Sequence, residues 1–294
     1  MRARRSCLSV PARPPRKLEK ASELVADEVV VDLEDSVPAE QKKEARAAVA
    51  EALAGGRWGS ATVSVRVNGT STPWFEDDVR AVAGAGERLD SVIVPKSESP
   101  DDLRRADSLL GEAAGGARRE RPIGLQALIE SARGLRAVNE IAESSSRLEA
   151  LILGPADMSV SLGFPSPEEG PCWDYVRGAI LVAARAAGLQ AIDGPYLQIS
   201  DAEGLRASAG RAREFGFDGK WALHPAQIGP LNELFSPTPD EAARARAILA
   251  ALAGSDDGAV LLDGEMIDKA SRRRAEALLA RAAAAEGAEA GAGR

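Results

Sequence analysis

The stretch Ile123-Gly-Leu-Gln-Ala-Leu-Ile-Glu130 is a short, largely apolar run that ends on a carboxylate. A second run of the same kind, Leu148-Glu-Ala-Leu-Ile-Leu-Gly-Pro-Ala156, is followed directly by Asp157. Desolvating an ionised carboxylate at the end of a buried strand costs several kcal/mol unless a cation or hydrogen-bond donors compensate. Two such carboxylates, each closing an apolar run, therefore indicate a site for a hard metal ion.

Similar apolar runs occur along most of the chain, and helical patterns separate most of them. Alternation of strands with helices predicts an α/β fold with a parallel sheet. A doubly wound open sheet has the same local pattern, but eight strand candidates is the number of a TIM (β/α)8 barrel, which we therefore predict. The predicted helices include 39–53 and 175–187. The predicted strands cover residues 7–10, 28–33, 61–67, 91–94, 123–129, 148–153, 189–192 and 220–223.

The composition predicts one large domain followed by an extension. With 294 residues and 45% hydrophobic side chains, the chain can bury a single substantial core. We assign the barrel to residues 1–236, a C-terminal helical extension to 237–281, and an Ala/Gly/Glu-rich tail, expected to fray, to 282–294. Within the extension we predict helices at about 239–253 and from 269, a turn at 254–258 and a short apolar run at 259–262.

Charge and cysteine usage exclude several classes of protein. Cys7 and Cys172 give neither a disulfide framework nor zinc-ligand spacing, which predicts a reducing, cytoplasmic setting. No apolar run approaches the roughly 18 residues of a membrane span, and no signal-peptide core is present, so we expect no membrane association. A formal charge of -8 argues against nucleic-acid binding. The segment 2–20 is nevertheless basic, either as a solvated N-terminus or as a site for an anionic ligand.

The residues that follow the strands are candidates for a shared site, because side chains at the C-terminal strand ends of such a barrel meet over one pocket. Residues at the start of a loop are often polar, so none of these residues alone indicates a site. Several acids together with one arginine are stronger evidence for a shared site. The candidates are Pro11, Glu34, Asp35, Arg66, Asn68, Lys96, Glu130, Asp157, Asp193 and His224.

Nine segments, in this order, resemble those of a known family. The resemblance is to the citrate lyase beta-subunit-like acyl-CoA lyases of the HpcH/HpaI aldolase/citrate lyase family, and within it to malyl-CoA and citramalyl-CoA lyases. It covers nearly the whole chain. The segments are Arg5-Ser-Cys-Leu-Ser-Val-Pro11, Val31-Asp-Leu-Glu-Asp35, Val65-Arg-Val-Asn-Gly69, Val94-Pro-Lys96, Leu128-Ile-Glu-Ser-Ala-Arg-Gly134, Gly154-Pro-Ala-Asp157, Ala191-Ile-Asp-Gly194, Gly216-Phe-Asp-Gly-Lys-Trp-Ala-Leu-His-Pro-Ala-Gln227 and Asp263-Gly-Glu-Met-Ile-Asp268.

The resemblance implies a Mg²⁺ cofactor held by Glu130 and Asp157. Oxygen ligands with most positions left for water and substrate suit a small hard cation. Glu34 and Asp35 match a pair beside the metal that would hold metal-bound waters. The residues alone leave other interpretations open, since the two carboxylates could pair with an arginine such as Arg133, and Asp35 could simply begin a turn.

The resemblance also implies two binding regions for the substrates. Arg66 would grip the carboxylate or carbonyl oxygens of a small 2-oxoacid, for which a bidentate guanidinium is suited. Arg16 and Lys20 would contact the phosphates of an acyl-CoA, although both could be plain solvated helix charges. Ile192 and Asp193 match a segment that contacts the acyl-CoA through backbone groups.

Asp268 matches a catalytic acid/base that relatives supply from the C-terminal extension of a neighbouring subunit. The resemblance therefore implies a homo-oligomer, a trimer or hexamer, that cannot work as a monomer. Lys96 in Pro-Lys is interpreted as a barrel-rim ion pair rather than a Schiff-base lysine. His224, the single histidine, is expected to order the loop after the eighth strand by hydrogen bonding.

These implications predict a Mg²⁺-dependent carbon-carbon lyase of the oxo-acid-lyase type. It would cleave or form a 3-hydroxyacyl-CoA such as malyl-CoA, giving acetyl-CoA or propionyl-CoA plus glyoxylate by retro-Claisen/aldol chemistry. Close alternatives are a citramalyl-CoA lyase and a malyl-CoA thioesterase or malate synthase-type activity. Other classes are a phosphoenolpyruvate mutase type barrel, which would not use the basic N-terminal segment or Asp268, and a non-catalytic CoA-ester binding subunit.

Overall fold

Eight parallel strands close into a barrel in the computed structural model, which describes residues 2–21, 23–55, 58–59, 61–114, 119, 121–166, 170–253 and 259–292. Each strand pairs with its neighbours in chain order, and the first pairs with the eighth. The predicted barrel is confirmed, and no predicted strand end differs from the observed one by more than one residue. The strands are β1 (Ser6–Pro11), β2 (Glu28–Asp32), β3 (Thr62–Arg66), β4 (Ser91–Val94), β5 (Gly124–Ile129), β6 (Leu148–Leu153), β7 (Gln190–Asp193) and β8 (Gly219–Ala222).

Helices cover the outside of the barrel and bury its outward-facing apolar side chains in one continuous core. The predicted helix 39–53 is divided into a 3-10 turn, Ala39–Gln41, and α2. The helices up to the end of the barrel are α1 (Pro15–Ala21), α2 (Lys42–Gly55), α3 (Phe75–Ala83), α4 (Pro100–Ala114), α5 (Ala132–Arg136), α6 (Val138–Ala142), α7 (Pro155–Leu162), α8 (Cys172–Ala186), α9 (Ala202–Phe215) and α10 (Ile228–Phe235).

The inside of the barrel is layered because side chains two residues apart along a strand point to the same face. In β5 this places Gln126 lowest and Leu128 above it, and directs Glu130, which follows the strand, toward the mouth. Gln126 is hydrogen-bonded within a polar lower layer, and Leu128 packs in an apolar middle layer that includes Ile152 and Trp221. The alternation therefore directs the carboxylate of Glu130 to the same end of the barrel as the other C-terminal strand ends.

A hydrogen-bonded polar cluster closes the N-terminal end of the barrel. Arg4 donates to Glu28 at 2.9 Å, and Glu28 also accepts from Gln126 at 2.5 Å. Ser64 and Ser91 complete the cluster through hydroxyls 2.7 Å apart. Since these groups fill the lower interior, a ligand site inside the barrel has to lie at the opposite, C-terminal end.

The C-terminal extension consists of two helices joined by a β-hairpin: α11 (Pro239–Ala253), β9 (Ala259–Leu262), β10 (Glu265–Asp268) and α12 (Lys269–Ala292). The strand β10 was not predicted, and the predicted turn 254–258 lies outside the described residues. The expected fraying from residue 282 is wrong, because α12 runs on to Ala292. Alanine favours helix, Ala285 is buried, and Glu289 lies 2.8 Å from Arg5 at the N-terminal end of the barrel.

In the part of the chain that the structure describes, no helix combines the length and the apolar character needed to span a bilayer.

Candidate active site

Arg66, the last residue of β3, lies inside the barrel mouth among acidic side chains. Its Nε is 2.8 Å from Asp32, its partner in the strand register, and its Nη1 is 3.0 Å from Glu34 and 3.2 Å from Asp35. The guanidinium also lies over the Trp221 ring, 5.6 Å from its centroid. Burial opposes the charge of Arg66, but the three carboxylates outweigh it and raise its pKa above the ordinary value. The group therefore stays cationic and is held in one orientation.

Asp32 shapes the loop that carries Glu34 and Asp35. Its carboxylate accepts the backbone N–H of Glu34 at 2.9 Å and that of Ser36 at 3.0 Å. Burial alone would favour the neutral acid, but Arg66 and these hydrogen bonds lower the pKa of Asp32 below its usual value. Asp32 therefore fixes both Arg66 and the neighbouring loop, a role that the sequence analysis did not assign.

Glu130 and Asp157 are brought together by a contact between the ends of their strands. The backbone N–H of Gly154 donates to the carbonyl of Ile129 at 3.0 Å, which places the first turn of α7, and Asp157 with it, beside Glu130. A Cβ on Gly154 would lie 2.5 Å from the Cβ of Glu130 and 2.8 Å from its Oε2. Only glycine leaves room for the Glu130 side chain at this point.

The environment of Glu130 disfavours its negative charge. The residue is only 6% exposed, and its Oε1 accepts one backbone hydrogen bond, from Lys96 at 2.7 Å. Burial, first, and then the charge of Glu34 raise the pKa of Glu130 to about 8, and Asp157 adds to the effect. The hydrogen bond from Lys96 and the charge of Arg66 offset this only in part. The site thus carries more negative charge than its own cations neutralise.

The ammonium of Lys96 lies close to three acidic side chains of the site. Its ammonium forms a close ion pair with Glu34 and lies 3.9 Å from Asp157 and 4.0 Å from Asp35. Burial would lower the pKa of Lys96, but Glu34 and the other acids raise it above the usual value. The backbone of Lys96 adopts φ 49°, a left-handed conformation that is uncommon for a residue with a side chain. The predicted rim ion pair is confirmed.

Two clefts meet at the carboxylates. One, about 160 Å³, lies on the side of β1 and β8 and is lined by Ser9, Arg66 and Trp221 among others. The other, about 590 Å³, lies beyond β4 and β5 and is lined mainly by polar groups, including Arg133. Glu130 and Asp157 line both clefts. A ligand in either cleft could therefore reach the two carboxylates.

Arg133, the alternative partner considered for Glu130 and Asp157, pairs with a different acidic residue. Arg133 is 69% exposed and its nearest acidic group is Glu98, at 3.6 Å. Asp157 is half-exposed and faces both clefts rather than an arginine. The interpretation of Glu130 and Asp157 as an arginine-paired structural couple therefore loses its support.

A divalent cation fits this pair of carboxylates. Glu130 and Asp157 line the same two clefts, and their oxygens suit a hard ion. A cation beside them would offset both the burial and the like charge that raise the pKa of Glu130. One oxygen of Glu34, Oε2, is buried without a hydrogen-bond donor, although Arg66 lies 3.0 Å away. Among the described residues, no group of three or more His, Cys, Asp or Glu side chains is placed to hold a metal ion, so the protein would supply only two such ligands. Water or substrate would have to supply the remaining ligands.

The residues expected to contact CoA differ in how they are presented. Arg16 and Lys20 are exposed and lie about one turn apart on α1, beyond the C-terminal end of β1. Ile192 is buried in the barrel interior. Asp193 is also buried, 2.5 Å from Lys220 and 3.5 Å from Arg177, so its carboxylate is committed to an internal ion pair. Any contact that Asp193 makes with a ligand has to come from its backbone.

Asp268 lies in the extension, not in the barrel mouth. Its carboxylate caps α12, accepting the N–H of Ala270 at 2.9 Å and that of Ser271 at 3.1 Å. These N–H groups, Ser271 first, lower the pKa of Asp268. β10 packs against α11 and α12, and Asp268 is not among the residues that line the two clefts. Within one described chain, the structure does not bring Asp268 to Glu130.

His224 has the ordering role that the sequence predicted. Its Nδ1 accepts the backbone N–H of Ala226 at 3.2 Å, and the side chain of Gln227 returns to the backbone of His224. The ring thereby caps the 3-10 turn Pro225–Gln227 that follows β8.

Fold and site together define a class of protein: a barrel enzyme whose active site lies at the C-terminal strand ends. Within that class, the chain belongs to the HpcH/HpaI aldolase/citrate lyase family, whose sequence model matches residues 5–225. The family resemblance expected from the motifs is thereby confirmed.

Individual relatives are lyases and a related hydrolase. The chain is 37% identical to the L-malyl-CoA/beta-methylmalyl-CoA lyase of Cereibacter sphaeroides, over 96% of this chain and 95% of that protein. It is 35% identical to the (3S)-malyl-CoA thioesterase of Cereibacter sphaeroides, over 95% of each chain. Among solved structures, the protein CitE from Mycobacterium tuberculosis in complex with magnesium, acetoacetate and coenzyme A matches with a TM-score of 0.76 and 32% identity, over 95% of this chain and 97% of that one.

Proposed function

We propose that this protein is a Mg²⁺-dependent carbon-carbon lyase that cleaves or forms a 3-hydroxyacyl-CoA such as malyl-CoA. The products of cleavage would be acetyl-CoA or propionyl-CoA and glyoxylate. The observation that carries the proposal is the meeting of Glu130, Asp157 and the immobilised Arg66 at one cleft. The names of the relatives at 37% and 35% identity support the same substrate class.

We assign the cation to Glu130 and Asp157, with Glu34 and Asp35 orienting its waters. Mg²⁺ bound there would act as a Lewis acid toward the oxygen of the small oxoacid. Arg66 would bind the same acid. Its Nε and Nη1 are held by acidic side chains, whereas no described hydrogen bond or ion pair engages Nη2. Arg66 is thus oriented before the substrate arrives, which lowers the barrier if charge develops near it.

The reaction also needs a proton donor and acceptor. In cleavage the hydroxyl of the 3-hydroxyacyl-CoA loses its proton, the carbon-carbon bond breaks, the oxoacid carbonyl forms from that hydroxyl, and the resulting enolate of the acyl-CoA takes up a proton. We propose that Asp268 of a second copy donates a proton to the enolate carbon in cleavage and removes it from the same carbon in condensation. Support comes from its place on the exposed hairpin of the extension, away from the mouth of its own barrel.

The extension would then have a function distinct from that of the barrel. We propose residues 1–236 as the catalytic barrel and the segment from residue 237 as the extension, with a homo-oligomer, a trimer or hexamer, as the active form. Arg16 and Lys20 are proposed to meet the phosphates of CoA, since both are exposed on α1 near the mouth. A cytoplasmic location is consistent with the two free cysteines.

The first experiment is an assay with malyl-CoA, with Mg²⁺ and then with EDTA, in which glyoxylate is followed with phenylhydrazine and free thiol separately. Glyoxylate that depends on Mg²⁺, without free CoA, is the expected result. Free CoA in step with turnover would instead favour the thioesterase reaction named for one relative. No turnover with malyl-CoA, citramalyl-CoA or other 3-hydroxyacyl-CoAs would overturn the proposal in favour of a CoA-ester binding protein.

A further inference from the structure

We infer that the ammonium of Lys96 is a resident counter-ion of the cation site, which partly neutralises the carboxylates before Mg²⁺ binds and gives way when it does. Lys96 is then a positioning residue that sets how tightly the site holds its cation. The inference rests on the proposed metal site and deepens it, because it gives Lys96 a part in setting the affinity of that site for Mg²⁺.

The backbone of Lys96 fixes the first ligand. Its N–H donates to Glu130 at 2.7 Å, and the next N–H, of Ser97, donates to the carbonyl of Leu128 at 3.2 Å. Together they attach the loop after β4 to the end of β5. Lys96 has a left-handed φ of 49°, so the backbone accepts strain at the residue whose N–H holds Glu130.

The side chain of Lys96 fills the space among the other acids. Its ammonium contacts Glu34 and lies about equally far from Asp157, at 3.9 Å, and Asp35, at 4.0 Å. It is half-exposed and lines the larger cleft, so it can leave without unfolding the loop. Because it lies beside Asp157, a divalent cation bound there would be repelled by it.

Substitution of Lys96 should change the stability of the metal-free protein and the affinity for Mg²⁺ in opposite directions. Removing the Lys96 charge should lower the thermal stability of the metal-free protein, because Glu34 loses its paired cation. It should also tighten Mg²⁺ binding, because the carboxylates lose a competitor. If Lys96 only supported the loop, its substitution would lower both the thermal stability of the metal-free protein and its affinity for Mg²⁺.

The test compares Lys96→Met, which keeps the backbone N–H and the length of the side chain, with Lys96→Arg, which keeps the charge. Mg²⁺ alone is titrated by calorimetry, and thermal melting is recorded in EDTA. We expect Lys96→Met to bind Mg²⁺ about tenfold more tightly and to melt at a lower temperature without metal, and Lys96→Arg to stay within about twofold of the wild type.

Arg133→Met is the matched control, because Arg133 lines the same cleft but lies beside Glu98. It should change Mg²⁺ affinity by less than about twofold. Equal or weaker Mg²⁺ binding by Lys96→Met, or equal tightening by Arg133→Met, would overturn the inference while leaving the proposed function intact. Failure of the wild type to bind Mg²⁺ would overturn both.

Discussion

At Glu130, burial and like charge make the stability of the metal-free protein depend on pH. The pKa of Glu130 is raised to about 8 in the folded chain, above its ordinary value of 4.5. A carboxyl with a raised pKa contributes stability that is present below the unfolded pKa and is lost as the pH rises through the folded pKa. In EDTA, stability should therefore fall between about pH 5 and 8, by up to a few kcal/mol.

Urea unfolding of the metal-free protein across this pH range would measure the loss. Glu130→Gln is the matched comparison, since the amide keeps the shape but cannot ionise. Its stability should vary less with pH, and an unchanged profile would contradict the raised pKa.

Gly154 is the second position at which one residue decides the geometry. In Gly154→Ala the added Cβ would lie 2.5 Å from the Cβ of Glu130, so the carboxylate has to move. We expect Mg²⁺ affinity to fall by on the order of tenfold or more, with a stability cost of about 1–3 kcal/mol from overpacking. Calorimetric titration with Mg²⁺ checks the affinity. Gly178→Ala, at a helical glycine with free space around its Cβ position, should leave it unchanged.

The sequence was informative about which residues lie at the mouth and less so about their partners. Glu130, Arg66 and Lys96 could be placed there because each follows or ends a strand whose period is clear. Asp32 could not, because its importance comes from lying opposite Arg66 in the strand register. The ion pair between Asp193 and Lys220 could not be predicted for the same reason, because the two residues lie on neighbouring strands and are 27 residues apart in the chain.

Among the secondary-structure elements, the hairpin of β9 and β10 exposes large apolar side chains to solvent in the single chain. Leu261 and Met266 are cross-strand partners, and both are largely exposed, at 76% and 71%. Asp268 follows on the same hairpin. If Asp268 acts on the barrel of another copy, two inactive variants with different defects should restore activity when combined.

The complementation experiment mixes Asp268→Asn with Arg66→Ala. Asparagine is a good N-cap, so α12 should persist while turnover drops by on the order of a hundredfold. Subunits exchanged between the two variants should regain part of the wild-type rate, because an intact Arg66 site can then meet an intact Asp268. A mixture as inactive as its components, after exchange has been shown by mass, would show that Asp268 does not act on the barrel of another copy.

Elements with strong periodicity were predicted well, and short or cooperative ones were not. The eight barrel strands are apolar runs between helices, so their ends could be placed within one residue. β10 is only four residues long and exists because β9 lies beside it. The last turns of α12 contact Arg5, almost the whole chain away, and composition alone could not indicate this contact.

For the whole molecule, the polar cluster at the N-terminal end of the barrel should act on stability and not on the site. Glu28→Ala would leave Arg4 as a buried, less compensated charge and remove one of the acceptors of the Gln126 side chain. We expect a loss of about 3–5 kcal/mol. The midpoint of urea unfolding should fall accordingly, whereas Mg²⁺ affinity of the folded fraction should match the wild type. A large change in that affinity would show that the two ends of the barrel are coupled.

Closure of the barrel between β1 and β8 has a consequence for synthesis on the ribosome. The first strand to be made gains its second neighbour only after the last one has left the exit tunnel, about 200 residues later. At roughly 5–20 residues per second, this delay is on the order of 10–40 s. Throughout it, one edge of the growing sheet has unpaired amide and carbonyl groups. The nascent chain is therefore most vulnerable to wrong pairing until its eighth strand emerges.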